Sequence, residues 1–181
     1  MALAASEAAP LFFPLGDLPG GAFVSFADDV SDDGSVVVGE SEGPDGSEAF
    51  RWTRDGGMQG LGPAPDGGAS GALGVSADGA VVVGGGDTPS GSGGLRWTEQ
   101  GGVQALESPG NFGVAYATSA DGSVTVGYSG LQALRWSDAF GAEWLGNVAG
   151  GNQAIAYGVS ADGNVVVGSA MSSGGRQAFR K

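Results

Sequence analysis

The residues that could carry chemistry in this 181-residue chain are carboxylates, because the sequence has no histidine and no cysteine. That absence excludes a Ser-His-Asp triad, a thiol nucleophile, a zinc site with nitrogen or sulfur ligands, and a disulfide. The 7 Lys and Arg against 20 Asp and Glu give a net charge of -13. Such a chain has no basic surface for nucleic acid or anionic lipid. Acid–base chemistry by paired carboxylates, cation binding, and binding without catalysis remain.

The adjacent Asp28 and Asp29 are the candidate carboxylate pair, either for acid–base catalysis on a polysaccharide or for lining a channel. Other candidate ligand-binding residues are acids and aromatics near two sets of loops predicted to share one face. The first set joins consecutive units, as at Pro63–Ser70, and the second follows the Val run, as at Glu40–Ser47 and Gly85–Gly94. These candidate residues are Asp17, Phe23, Asp66, Asp87, Phe112 and Tyr128. Acids mixed with aromatic rings can bind a sugar, a calcium ion or a basic partner. Solvated loops on an acidic protein are the alternative interpretation. We assign no catalytic residue and no metal ligand, and we expect no cofactor, with calcium as the alternative.

A repeated unit must position these residues. Each unit has a Ser-x-Asp-Gly turn, then a Val-rich run ending in Gly, then a strand that carries Arg-Trp or Phe-Arg. Successive units begin 45, 43 and 41 residues apart. Asp-Gly between two apolar runs is a strong hairpin signal, so each unit predicts four short strands. The first strand ends at the turn, for example Ser25–Val30, and its residues are predicted to alternate between a face of small residues and a bulky packing face that includes Tyr116 and Tyr157. The turns are Val30–Gly34, Val75–Gly79, Thr118–Gly122 and Val159–Gly163.

Residues that recur at one position of the unit are predicted to be structural, because every repeat needs them. The turn Asp is expected to cap its own turn, with an acidic ring for a cation as the alternative. The Arg is expected to pair with the turn Asp or stack on Trp, with an anionic ligand as the alternative. The Trp is expected to pack between blades. These residues are Asp33, Asp78, Asp121 and Asp162, then Arg51, Arg96, Arg135 and Arg180, then Trp52, Trp97 and Trp136.

The sequence therefore predicts an all-β fold, a four-bladed β-propeller of four-stranded repeats of about 43 residues. The last unit lacks its fourth strand, while residues 11–16 lie in the register of one. We predict that this N-terminal strand completes the last blade and closes the ring, which removes the edge strands. A piece of a longer array is the alternative. The predicted divisions are a flexible leader at 1–10, one domain at 11–181, and repeats at 17–61, 62–106, 107–145 and 146–181.

The unit resembles the WD-repeat plan without its Gly-His pair, and it is more similar to bacterial HAF-type extracellular repeats. The likeness rests on Leu15–Gly21, Ala49–Thr53 and Gly56–Gly62 together with the turn and Val-run motifs, and it covers about residues 15–181. It implies an exported bacterial protein, extracellular or at the cell surface, often a passenger or surface module. It supplies no catalytic residues. Residues 1–10 lack a positive n-region and are no intact signal peptide, but they would suit a start just after a removed signal.

The expected function is that of a non-catalytic exported bacterial module that binds a partner protein or a glycan through its loop face. The alternatives are a carboxylate-dependent enzyme acting on polysaccharides and a purely structural passenger or spacer repeat. No nucleic acid partner is expected, because the chain has no basic surface. No membrane insertion is expected, because no apolar run reaches about 18 residues. The strong negative charge predicts a monomer.

Overall fold

The computed structural model describes residues 12–107, 109–110 and 112–181, in which 15 strands form four antiparallel sheets. The predicted leader at 1–10, and residue 11, lie outside the described residues. The expectation of an all-β chain is confirmed. The described residues include no helix that is long and apolar enough to cross a membrane.

The sheets follow one another along the chain, and each is an up-and-down meander. The first three have four strands and the last has three. The first sheet holds β1 (Ser25–Val30), β2 (Val36–Gly43), β3 (Gly46–Thr53) and β4 (Gly57–Gly60). The second holds β5 (Ser70–Val75), β6 (Val81–Thr88), β7 (Gly91–Thr98) and β8 (Gly102–Ala105). The third holds β9 (Gly113–Thr118), β10 (Val124–Ser129), β11 (Gln132–Ser137) and β12 (Gly141–Trp144). The last holds β13 (Ala154–Val159), β14 (Val166–Ser172) and β15 (Gly175–Arg180).

A β-bulge at the same position of every sheet explains why the Val run ends in glycine. In the second sheet Ala72 pairs with Gly84 and Gly74 pairs with Val83, so Leu73 is an extra residue in β5. The bulge brings the two backbones together, and a Cβ on Gly84 would overlap the carbonyl oxygen of Gly71. Only glycine fits there without moving a strand. The bulge also interrupts the strict side-chain alternation that the sequence predicts for these first strands.

The sheets stack so that the second and third strands of one pack on the first strand of the next. Three apolar clusters fill the three junctions. Each cluster uses the last Val of a run, and Val38, Val83 and Val126 have relative exposures of 0%, 1% and 0%. The opposing strand supplies a small residue, which is Ala72, Ala115 or Ala156 at the three junctions. A small residue against a branched one allows close packing of neighbouring sheets.

The stack of sheets is open in the structure. The first and last sheets share no hydrogen bond among the described residues, and β15 is the free edge of the last sheet. Residues 12–16 form no strand, and Phe12 is fully exposed. Closure of a four-bladed ring by residues 11–16 therefore stays a prediction.

Candidate functional site

The repeated turn Asp accepts hydrogen bonds within its own turn. In the second sheet Asp78 Oδ1 accepts from Ser76 Oγ at 2.7 Å and from the Ala80 amide at 3.0 Å. The buried Ser76 hydroxyl in turn accepts from the Val81 amide at 2.9 Å. The same Asp contacts recur at Asp33, Asp121 and Asp162. In the described part of the chain, no group of three or more Asp and Glu is placed to hold a metal ion.

These turns predict a loss of stability in acid. Hydrogen bonds from neighbouring Ser and Asn side chains and backbone amides lower the pKa of Asp33, Asp121 and Asp162 from 3.8 to about 2. Because the folded-state pKa is the lower one, the stabilisation is complete above about pH 4 and is lost as the pH falls toward about 2. Urea unfolding across this range should show the midpoint fall, and Asp121→Asn should flatten that fall. Asp55→Asn, which removes an exposed charge outside these turns, is the control, and equal slopes for both variants would contradict the assignment.

The repeated Arg side chains lie in grooves between consecutive sheets. Arg51 Nε donates to the Gly79 carbonyl, in the turn of the next sheet, at 3.3 Å. Arg96 lines the equivalent groove beside Gly122. Pairing with the turn Asp was one of the two contacts predicted for Arg51, with stacking on Trp as the other, and the hydrogen bond that Arg51 makes in the turn is with the carbonyl. Arg135 lines the third groove and pairs with Glu143 at 3.5 Å, while Arg180 lies on the free edge strand β15.

The repeated Trp side chains differ in burial. Trp136 is 4% exposed in the cluster between the second and third sheets, and its Nε1 donates to the Glu107 carbonyl. Trp97 packs on the cluster between the first and second sheets. Trp52 belongs to none of the three clusters, because the described residues place no sheet before the first one.

The candidate pair Asp28 and Asp29 divides into two environments. Asp29 Oδ2 accepts from the Val75 amide of the second sheet at 2.9 Å, and Oδ1 accepts from the Val30 amide at 2.9 Å. Asp29 therefore ties the first two sheets together. Asp28 is the bulge residue of β1 and accepts no such bond, and partial burial, then the Asp29 charge, raises its pKa.

Two predicted loop sets lie next to each other, although the second set is largely strand. Residues 40–43 and 85–88, predicted as loop, extend β2 and β6. Asp87 joins the two sets, since its amide donates to the Ala69 carbonyl at 2.9 Å and its Oδ2 accepts from the Ala69 amide at 3.1 Å. Asp17 is half-buried, while Asp66 and Phe23 are exposed. Among the described residues, no hydrogen bond or ring contact joins Asp17, Phe23, Asp66 and Asp87 into a single site.

Four aromatic rings form a continuous row across the third and last sheets. Phe112 lies 5.8 Å from Tyr128 between ring centroids, and Tyr128 stacks on Tyr116 at 5.9 Å with an interplanar angle of 23°. Tyr116 lies 5.4 Å from Tyr157. We call these four residues the aromatic row. The sequence placed Phe112 and Tyr128 in a candidate site but treated Tyr116 and Tyr157 as the bulky packing face of their strands.

The β-bulge explains how Tyr116 and Tyr157 come together. Both are the extra residue of their strand, at the position that Leu73 and Asp28 hold in the first two sheets. A bulge changes the direction in which a side chain points. The same bulge in two consecutive sheets places Tyr116 and Tyr157 next to each other. The repeat alignment, which puts Tyr at this position in two consecutive units, is the sequence signal that could have found the row.

The aromatic row is open to solvent and carries three hydroxyl groups. Phe112 and Tyr157 are each 48% exposed, so rings are accessible at both ends. Partial burial raises the pKa of Tyr116 and of Tyr128, and the neighbouring phenols raise both further. At neutral pH these phenols therefore stay protonated and can donate hydrogen bonds. Flat apolar surface beside fixed hydroxyls suits stacking and hydrogen bonding to one ligand.

The comparisons with known proteins support the fold. No family model matches the chain, and no curated protein matches it. Among solved structures, a crystal structure of TolB from Acinetobacter baumannii is similar, with a TM-score of 0.53 at 18% identity. The match covers 90% of this chain and 44% of the TolB chain, so this chain spans less than half of that length. Together with the successive four-stranded meanders, this likeness supports a β-propeller fold for the chain.

Proposed function

We propose that this chain is a non-catalytic module of an exported bacterial protein that binds a partner protein or a glycan through the face carrying the aromatic row. The row is the observation that carries the proposal. It occurs only on the third and last sheets, since the matching bulge positions in the first two hold Asp28 and Leu73. A framework role would require the same residue type in every sheet, whereas a binding site requires a difference between sheets.

The carboxylates favour binding over acid–base catalysis. The Asp29 carboxylate accepts hydrogen bonds from two backbone amides, one of them in the second sheet. The turn carboxylates accept hydrogen bonds within their own turns. General acid–base catalysis on a sugar needs two carboxyl groups that flank one bond. Only Asp29 of the candidate pair accepts backbone hydrogen bonds among the described residues, which leaves Asp28 as a single carboxylate without a second one to work with it.

Export and the completion of the last sheet form part of the same proposal. Export is supported by the resemblance to HAF-type repeats. The register of residues 11–16 with a fourth strand, and the three-stranded last sheet whose outer position is open at β15, support a propeller in which such a segment supplies the missing outer strand.

Removing single rings from the aromatic row should weaken ligand binding. Titration calorimetry with chitohexaose, cellohexaose and a lysine-rich peptide as probes tests a neutral glycan against a cationic partner. For the probe that binds the wild type, Tyr116→Ala and Tyr128→Ala should each raise the Kd about tenfold or more. Phe140→Ala is the matched control, because Phe140 is 74% exposed and lies outside the row.

Two results would contradict this function. Binding that both Tyr variants leave intact would remove the aromatic row as the site. Release of reducing ends from a polysaccharide by the wild type, lost in Asp28→Asn, would support the carboxylate-dependent enzyme instead.

A further inference from the structure

We infer that the outward faces of the first and last sheets are two halves of one interface and bind a second copy of this chain head to tail. The leading face is that of the first sheet, with Ala27 and Val30. The trailing face is that of the last sheet, with Val165 and Val167. This inference concerns the stacking of sheets and does not depend on the ligand of the aromatic row.

The chain itself contains this interface three times. At each internal junction the first and last Val of one run pack against the small residue of the next first strand. The turn glycine of the following sheet also lies on the first Val, as Gly79 does on Val36 and Gly122 does on Val81. The interface is thus defined by repeat position and not by one local coincidence.

The end faces carry the same residue types without a covering sheet. Val167 is 46% exposed, whereas its equivalents Val38, Val83 and Val126 are at 1% or less. Val30 is 52% exposed, against 8% for its equivalent Val75.

The other positions of the leading face are also uncovered. Ala27 is exposed, although its equivalents in the following sheets are buried. A Cβ placed on Gly34 would meet nothing within 4 Å, although a Cβ on its equivalent Gly79 would strike Val36. Each end therefore lacks the partner that the other end supplies.

A ladder of backbone hydrogen bonds between turns also ends with complementary groups. The Asp32 amide donates to the Ala77 carbonyl at 3.2 Å, Ala77 donates to Ala120 at 3.0 Å, and Ala120 donates to Ala161 at 3.0 Å. Among the described residues, the Ala161 amide and the Asp32 carbonyl make no further bond of this ladder. In the head-to-tail contact the Ala161 amide donates to the Asp32 carbonyl of the second copy, which continues the ladder.

The segment before the first sheet lies where an outer strand of a preceding sheet would lie. Arg54 lies 5.9 Å from the centroid of the Phe13 ring. By repeat register, Phe13 matches Gln59 and Arg54 matches Glu99, and those two residues line one groove. Among the described residues, no such outer strand lies beside β15 of the last sheet. In the assembly the segment from one copy can complete the last sheet of the other.

A second copy fits the structure better than closure within one chain. The first and last sheets share no hydrogen bond among the described residues, so bringing them together within one chain would require movement at closely packed internal junctions. Packed cores resist such deformation. A second copy adds the missing contact and leaves these junctions unchanged. Because the contact is head to tail, its products are closed rings or open chains. The proposal replaces the monomer that net charge alone predicts.

Light scattering after size exclusion, with sedimentation velocity, tests the assembly across the micromolar range. The wild type should have at least twice the monomer mass. Val167→Asp blocks the trailing face and Ala27→Asp blocks the leading face. Each should raise the Kd for association of two copies about 100-fold or more, because an unpaired charge would be buried in the contact. Leu131→Asp, at a residue 58% exposed outside both faces, is the control and should assemble normally. Salt should strengthen the assembly, since it screens the repulsion between copies of charge -13.

Mixing the two blocked variants identifies the head-to-tail geometry. Each variant alone should be a monomer, and an equimolar mixture should give a 1:1 dimer, because one intact leading face meets one intact trailing face. In the otherwise cysteine-free chain, Val167→Cys should react with a maleimide when dilute and be protected at assembling concentrations. A monomeric wild type would overturn the proposal, and a monomer destabilised by Val167→Asp would point to closure within one chain. An assembling wild type whose blocked variants stay monomeric after mixing would also overturn it.

Discussion

Gly84→Ala is expected to lower the free energy of unfolding by about 3 kcal/mol or more, because the added methyl group would strike the backbone of the neighbouring strand. The added Cβ would overlap the Gly71 carbonyl oxygen and approach the Ala72 Cα. Both atoms belong to the backbone of β5, which cannot rotate away as a side chain can. The strands β5 and β6 must therefore separate at the bulge, in a sheet that is packed on both faces.

Urea unfolding followed by tryptophan fluorescence measures this effect. Gly43→Ala is the matched control, because a Cβ there meets its nearest neighbours at 3.5 Å, an ordinary contact distance. The control should stay within about 1 kcal/mol of the wild type. A Gly84→Ala protein as stable as Gly43→Ala would show that the bulge does not force the two backbones together.

Trp136→Ala is expected to cost about 3 to 5 kcal/mol, the usual range for a buried aromatic side chain. The change would leave a cavity between the second and third sheets, beside Val83 and Ala115. It would also leave the Glu107 carbonyl without its indole donor. Both effects act at an internal junction, so the sheets on either side should lose stability together.

The repeat supplies the control for this prediction. Trp52 has the same position in the first sheet but belongs to no inter-sheet cluster. Trp52→Ala should therefore cost much less when the protein is dilute enough to be monomeric. Chemical denaturation of both variants at one low concentration decides the matter. Equal losses would mean that the Trp stabilises its own sheet rather than the junction.

The strands were predictable because their signals are local. The expected first strand of the first unit, Ser25–Val30, has the bounds that the structure shows. The predicted Ser-x-Asp-Gly turns form because Asp and Ser side chains bond amides within about five residues of themselves. The bulge was not predicted, since period-2 alternation assumes regular pairing, whereas an extra residue appears only once two strands are paired.

The candidate site was only partly predictable, because contacts across sheets have no local signal. Phe112 and Tyr128 meet across one sheet, and Tyr157 joins them only through the stacking of the last sheet on the third. Asp29 looked like half of a catalytic pair in the sequence. Its contact with the Val75 amide, 46 residues away, gives it a structural role that only the stacked sheets reveal.

The sequence by itself determined the repeating unit, the turns and the absence of His and Cys chemistry, because short-range backbone preferences and residue inventory suffice for these. The tertiary structure decided which faces are covered. Val126 is buried because the last sheet packs on it, whereas its equivalent Val167 is exposed because no described sheet covers it. How the sheets stack depends on side-chain packing at the three junctions. The same stacking of sheets decided that Tyr116 and Tyr157 form one surface, because residues at a bulge repeated in two sheets come together only when those sheets lie side by side.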